Sequence, residues 1–261
     1  MSTMKENLMG GRPLLGTMVT AFDSPELLRL AANAGLDWIF IDTESVCPSP
    51  DRLSAMLGYA QFVGLPAIVR IPELTKAETG RILDLGAAGL ICPDVRSAAA
   101  AEELVRLSKY APDGQRGVAL DRPHTRYQAG NTAEKLHYMA EANRQLVLIC
   151  QIESQDGLAR VEEIAAVPGV DGLLIGPNDL TQAMGIFGQT NHPDFLEAVR
   201  RICEAAQRHG KAVGMSCGSV AACRPWAEAG IRFFQVGSDV SLYAGALREL
   251  QGQWLQCFGE P

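Results

Sequence analysis

Short continuous apolar runs alternate with longer stretches in which apolar residues recur every three or four positions. The runs, bounded by turn residues, predict strands at Leu14–Thr20, Trp38–Asp42, Ala67–Ile71, Gly89–Cys92, Leu146–Ile152, Gly172–Ile175, Ala212–Ser216 and Phe233–Val236. Helical spacing appears between them over Pro25–Ala34, Asp51–Val63, Lys76–Leu85, Ser97–Lys109 and Pro193–His209. Such alternation implies parallel strands joined by right-handed crossovers. Eight units in 261 residues predict a closed (β/α)₈ TIM barrel, a fold that takes about 250 residues. No linker, repeat or low-complexity segment argues for a second domain, so residues 1–261 are read as one. Two stretches break the rhythm. Tyr110–Asn131 is rich in Pro, Gly and Arg and too long for a simple connection, which suggests a functional loop. A C-terminal helix over about 242–258 carries Leu250, Trp254 and Leu255, suited to packing on a neighbouring subunit or beneath the barrel.

In such barrels the active site lies at the carboxyl ends of the strands. Strand two ends in Asp42, Glu44 and Ser45, strand three in Arg70, strand five in Gln151 and Glu153, and strand six in the turn Gly176-Pro177-Asn178-Asp179. Glu153 and Asp179 converge if their strands are neighbours, and two hard oxygen ligands with open positions suit Mg²⁺ or Mn²⁺. Each residue also has a plainer role. Asp179 alone would read as a helix N-cap, and Arg70 alone as a structural ion-pair partner.

Composition narrows the partners. The net charge is −7 and the five lysines are scattered, which argues against nucleic acid and anionic membranes. No apolar run approaches the roughly 18 residues of a membrane span, and Met1–Leu15 lacks an export-signal pattern, so the cytoplasm is expected. The seven cysteines have no CxxC pair and sit mostly beside apolar residues, as buried free thiols do. No lysine ends a predicted strand, which disfavours a Schiff-base mechanism. Cys47 has no basic neighbour to activate it as a nucleophile.

Several motifs in register resemble the HpcH/HpaI family of metal-dependent (class II) pyruvate aldolases: Gly35-Leu-Asp-Trp38, Ile41-Asp-Thr-Glu44, Val69-Arg70, Leu83-Asp-Leu-Gly-Ala87, Arg116-Gly-Val118, Gln151-Ile-Glu153, Gly169-Val-Asp-Gly172 and Gly176-Pro-Asn-Asp-Leu180. The resemblance implies that Glu153 and Asp179 hold the metal, which a 2-oxo acid chelates through its carboxylate and keto oxygen. Arg70 would stabilise the enolate oxygen. Gln151 and the Gly176-Pro177-Asn178 turn would bind the substrate, with Ser45 beside it. Asp42 is taken with Arg70 as catalytic, and Glu44 and Asp84 as supporting acids. A homo-oligomer, commonly a hexamer, is implied as well.

One position departs from the family pattern. The strand-two motif normally continues Asp-x-Glu-His, whereas this chain reads Asp42-Thr-Glu44-Ser45, and a serine hydroxyl is no proton acceptor at neutral pH. Three expectations compete. His124, on the long loop, takes the histidine's place over the rim. Or the chemistry is changed, as in a citrate synthase of siderophore biosynthesis that shares this fold and joins an acetyl thioester to oxaloacetate. Or catalysis is lost and a 2-oxo-acid-binding protein remains. The leading expectation is a carbon–carbon lyase acting on 4-hydroxy-2-oxo acids through a pyruvate enolate.

Overall fold

The computed structural model describes residues 3–259 apart from 47 and 129, so Cys47 lies outside the described residues. The chain begins with α1 (Met4–Met9), β1 (Leu14–Val19), α2 (Pro25–Asn33), β2 (Trp38–Asp42), α3 (Pro50–Val63), β3 (Ala67–Arg70) and α4 (Lys76–Asp84). It continues through β4 (Gly89–Cys92), α5 (Ala98–Ser108), α6 (Thr132–Gln145), β5 (Val147–Ile152), α7 (Gln155–Ala159) and α8 (Val161–Ala166). The last third holds β6 (Gly172–Ile175), α9 (Pro177–Ala183), α10 (Pro193–Arg208), β7 (Ala212–Cys217), α11 (Val220–Glu228), β8 (Phe233–Ser238) and α12 (Asp239–Phe258).

The strands close in chain order, each parallel to its neighbours, with β8 returning to β1. This is the expected (β/α)₈ TIM barrel. Period-two alternation sorts each strand into two faces. Leu14, Trp38, Phe40, Ile68, Ile91, Ile149, Leu174 and Phe233 fill the interior, while Ile39, Ile41, Val69, Leu148, Leu173 and Val213 pack under the helices. The interior aromatics need glycine beside them. A Cβ on Gly214 would stand 2.1 Å from the Phe233 ring, and one on Gly16 would stand 2.5 Å from Trp38. Gly214→Ala should therefore destabilise the fold by roughly 1–3 kcal/mol through overpacking, seen as a lower calorimetric midpoint. An unchanged midpoint would mean that the ring has room to move.

Helix α6 was not among the segments with helical spacing, and the reason is physical. Asn143 is its only buried residue, so there is no apolar stripe to read; a capping box of Asn131 with Glu134 starts it instead. Asn143 holds the long loop, accepting from the Tyr110 N–H at 2.8 Å and donating to the Tyr110 carbonyl at 2.8 Å. That loop follows α5, which has already carried the chain back to the amino ends of the strands. The described residues of this loop therefore lie at the opposite end of the barrel from the rim.

Among the described residues the cysteines are free thiols: Cys92 and Cys150 are buried, Cys203, Cys217 and Cys223 half-buried, and Cys257 exposed on α12. No helix of the described residues is long and apolar enough to cross a membrane.

Candidate active site

Arg70 ends β3 opposite Asp42 at the end of β2, a pairing set by the strand register. Its Nε and Nη2 donate to the two Asp42 oxygens at 2.9 and 2.8 Å, in a fork-to-carboxylate geometry. Nη2 also donates to Ser45 Oγ at 3.1 Å, and Nη1 lies 2.9 Å from Glu44 Oε2. Asp42 additionally accepts from the N–H groups of Glu44 at 3.0 Å and Ser45 at 3.4 Å. Burial pushes the Asp42 carboxyl up, but the bonds and charge of Arg70 outweigh it and hold the group below the usual carboxylate range. Asp42 was expected to be catalytic. In the structure both of its oxygens accept from Arg70, so the two side chains form one clamped ion pair.

Glu153 follows β5 and is buried. Its Oε1 accepts from the Asp94 N–H at 2.9 Å, and its Oε2 accepts from the Gln151 amide. Burial raises the carboxyl to about 7, and the charge of Asp179 adds to the shift against the opposing hydrogen bonds and Arg70. Gln151 is buried, and its Oε1 has no partner among the described residues. Gly176 leaves room for these two side chains: a Cβ there would lie 2.6 Å from Glu153 Oε2 and 3.0 Å from Gln151 Nε2 and would displace both.

Asp179 is not a helix N-cap. Gly176 caps α9 and supplies no side-chain bond, while Asp179 lies within the first turn, where an acid is favourable. It is exposed on the rim. Pro177 and Asn178 open the same helix. Glu44 completes the acidic side: burial raises its carboxyl, Arg70 opposes this, and Asp42, Asp179 and Asp94 add to it.

Asp94 escaped the sequence reading. It sits in the turn after β4 with φ 44°, its N–H on Glu153 and its Oδ1 buried without a hydrogen-bond partner among the described residues. A non-glycine residue at positive φ is sterically costly, but the sequence Cys-Pro-Asp-Val carries no mark of it.

Two expected residues are not at this rim. His124 Nδ1 lies 3.1 Å from the Asp84 backbone oxygen and Nε2 lies 3.3 Å from Tyr110 Oη, with the ring against Tyr138. Burial, then the Arg116 charge, lowers its pKa and favours the neutral ring. Asp84 accepts from Arg116 Nη2 at 2.7 Å. Both belong to the amino end, because α4 terminates there and the long loop docks against it. The expectation that His124 swings over the rim is corrected on this ground. The same correction applies to Asp84 as a supporting acid of this rim.

The rim thus combines an arginine clamped by Asp42 with the buried Glu153 and the exposed Asp179. A family model described as HpcH/HpaI aldolase/citrate lyase matches residues 17–246. The chain belongs to this family. It is 38% identical over 256 residues to a hydroxypyruvate/pyruvate aldolase of Pseudomonas aeruginosa, covering 96% of this chain and 91% of that one. Among solved structures, an HpcH/HpaI aldolase from Desulfitobacterium hafniense superposes with a TM-score of 0.89 at 32% identity, covering 100% and 98% of the two chains. The citrate synthase SbnG superposes with a TM-score of 0.87 at 27% identity, covering 99% of each. As a member of the HpcH/HpaI family with aldolase relatives along nearly its whole length, the protein is a carbon–carbon lyase of the aldolase type acting on a small molecule.

Proposed function

We propose that the protein makes or breaks the C3–C4 bond of 4-hydroxy-2-oxo acids through the enolate of a pyruvate-like 2-oxo acid, with Mg²⁺ or Mn²⁺ held by Glu153 and Asp179. The observation that carries the reading is the buried Glu153 carboxylate beside Asp179, facing Arg70 on the same rim. The donor set fits such an ion. It offers two carboxylates plus the buried, unpartnered Gln151 oxygen, all hard ligands. When bound, the cation polarises the ketone and makes the neighbouring carbon acidic.

The chain's own residues supply the remainder. Arg70, locked by Asp42, presents a fixed positive charge to the oxygen that becomes an enolate, so the protein does not reorganise as charge develops. The first turn of α9 has no side-chain cap and offers its N–H groups to the substrate carboxylate. Gly176 keeps that turn close to Glu153. Treatment with a chelator should abolish cleavage of 4-hydroxy-2-oxo acids, and Mg²⁺ or Mn²⁺ should restore it. Full activity after chelation would refute the cation's role.

A condensation of an acetyl thioester with oxaloacetate is the second reading. It is favoured by Ser45, whose hydroxyl accepts from Arg70 and offers no base. Release of free CoA from acetyl-CoA plus oxaloacetate would establish it in place of the aldol reaction. Metal-dependent oxalate binding without turnover in either assay would leave the non-catalytic reading.

The reading includes a homo-oligomer in the cytoplasm. Free thiols suit a reducing compartment. Along the 20 residues of α12, Leu242, Tyr243, Leu247, Leu250, Trp254 and Phe258 are all exposed, an apolar array of the kind that marks an interface. His124 serves a rim in this arrangement only if it is the rim of a neighbouring subunit.

A further inference from the structure

Glu44, Asp94, Glu153, Asp179 and Arg70 occupy the arc of the rim from β2 to β6; on the remaining arc Asp239, directly after β8, is already held by the N–H groups of Thr20, Ala21 and Phe22. On that remaining arc the strand alternation directs Ser216, Gln235 and Met18 inward, two residues beyond Gly214, Phe233 and Gly16. The register pairs Ser216 with Gln235, and adjacent strands lie about 4.8 Å apart, so the two polar side chains are neighbours. Gln235 is 5% exposed. Its Nε2 donates to the Gly237 carbonyl, which leaves Oε1 without a hydrogen-bond partner among the described residues. The half-buried Ser216 hydroxyl has none either.

Beneath them the barrel is apolar, floored by Phe233 and Phe40. Two adjacent polar groups with unused hydrogen-bonding capacity above such a floor can answer a ligand that enters the barrel mouth. A serine hydroxyl that donates or accepts, next to an amide oxygen that accepts, is the complement of a neutral hydroxyl. Among the described residues this arc carries no cation. Lys211 and Arg232 precede β7 and β8 at the amino end, where their side chains bond backbone carbonyls. The pair therefore suits a hydroxyl rather than a carboxylate or phosphate.

We propose that Ser216 and Gln235 form a hydroxyl-recognising subsite, making this protein selective for substrates with a hydroxyl on the carbon next to the reacting carbonyl. The inference rests on the aldolase reading above and names the substrate class of the same site. The hydroxyl has two chemical sources, C3 of the 2-oxo acid or C2 of the aldehyde. Two isosteric comparisons separate them: hydroxypyruvate against 2-oxobutanoate with one aldehyde, and glycolaldehyde against propionaldehyde with pyruvate.

The wild-type protein with Mg²⁺ should prefer the hydroxylated member of one comparison in kcat/KM. Ser216→Ala and Gln235→Met should each lower that preference by about three- to tenfold, one neutral hydrogen bond apiece. Their thermal midpoints should stay close to that of wild type, which reports that they fold, so the ratio of kcat/KM values within each comparison carries the test. An active wild type with no preference in either comparison would overturn the subsite and leave the aldolase reading intact. So would a preference that neither variant changes. Absence of turnover with every pair would overturn the aldolase reading and the subsite with it.

Discussion

Arg70→Lys should lower kcat/KM for cleavage of a 4-hydroxy-2-oxo acid by about 10²–10³-fold, the usual cost of removing one preorganised donor to a developing oxyanion. The substitution keeps the positive charge and removes only the planar fork. Arg70 at present meets both Asp42 oxygens, Ser45 Oγ and Glu44 Oε2 from one guanidinium. A lysine ammonium has three donors on a flexible stem. It cannot span the two Asp42 oxygens and still hold a fixed direction toward substrate. Because the charge near Glu153 persists, Mn²⁺ affinity measured by calorimetry should change little. A rate within about fivefold of wild type would show that Arg70 acts as a charge alone. A loss of rate together with metal affinity would show that it instead maintains the carboxylate pair.

The interior of the barrel was legible because parallel strands buried on both faces leave continuous apolar runs, and eight of these at crossover spacing admit few arrangements. Observed strand ends depart from the sequence reading by one or two residues, as with β8, which runs on to Ser238. The rim was legible for a related reason. Register carries Asp42 next to Arg70 and Gln151 next to β6, so residues distant in sequence become neighbours by topology. Loop destinations were not legible. His124 is separated from β4 by only about thirty positions, yet an intervening helix reverses the chain's direction and moves it to the far end. Asp94 failed to stand out for another reason: its contribution to Glu153 is a backbone N–H presented by a positive φ, and a side-chain reading has no view of backbone direction.

Ser45 ties these points together. Its hydroxyl lies within hydrogen-bond reach of Arg70, so the position keeps contact with the guanidinium even though it carries no imidazole. The groups around it divide between fixed and adjustable. Asp42 is sealed by Arg70, whereas Glu44 remains partly exposed, with burial and three acidic neighbours raising its carboxyl. Of the two acids beside Ser45, Glu44 is the more exposed, and it meets Arg70 through one oxygen only.

Glu153→Gln should produce two opposite effects, and their combination is the sharpest test of the carboxylate pair. Metal-supported turnover should fall by more than about 100-fold, since even outer-shell partners of a metal ligand cost 10–100-fold when removed. Metal-free thermal stability should rise at neutral pH instead. Burial lifts the Glu153 carboxyl to about 7 from its ordinary 4.5, so between these values the folded state holds more protons than the unfolded chain. The stability of the metal-free wild type therefore declines as pH rises through that interval. An amide of the same shape carries no charge to desolvate, keeps its polar contact with the Asp94 N–H, and should flatten that part of the profile. Adding Mg²⁺ or Mn²⁺ should recover the wild type's stability above pH 7 and leave the variant's unchanged, because the ion competes with the proton for the same carboxylate. Melting curves with and without metal across that pH range measure both effects. Parallel wild-type and variant profiles would mean that Glu153 is neutralised by the protein itself and holds no cation.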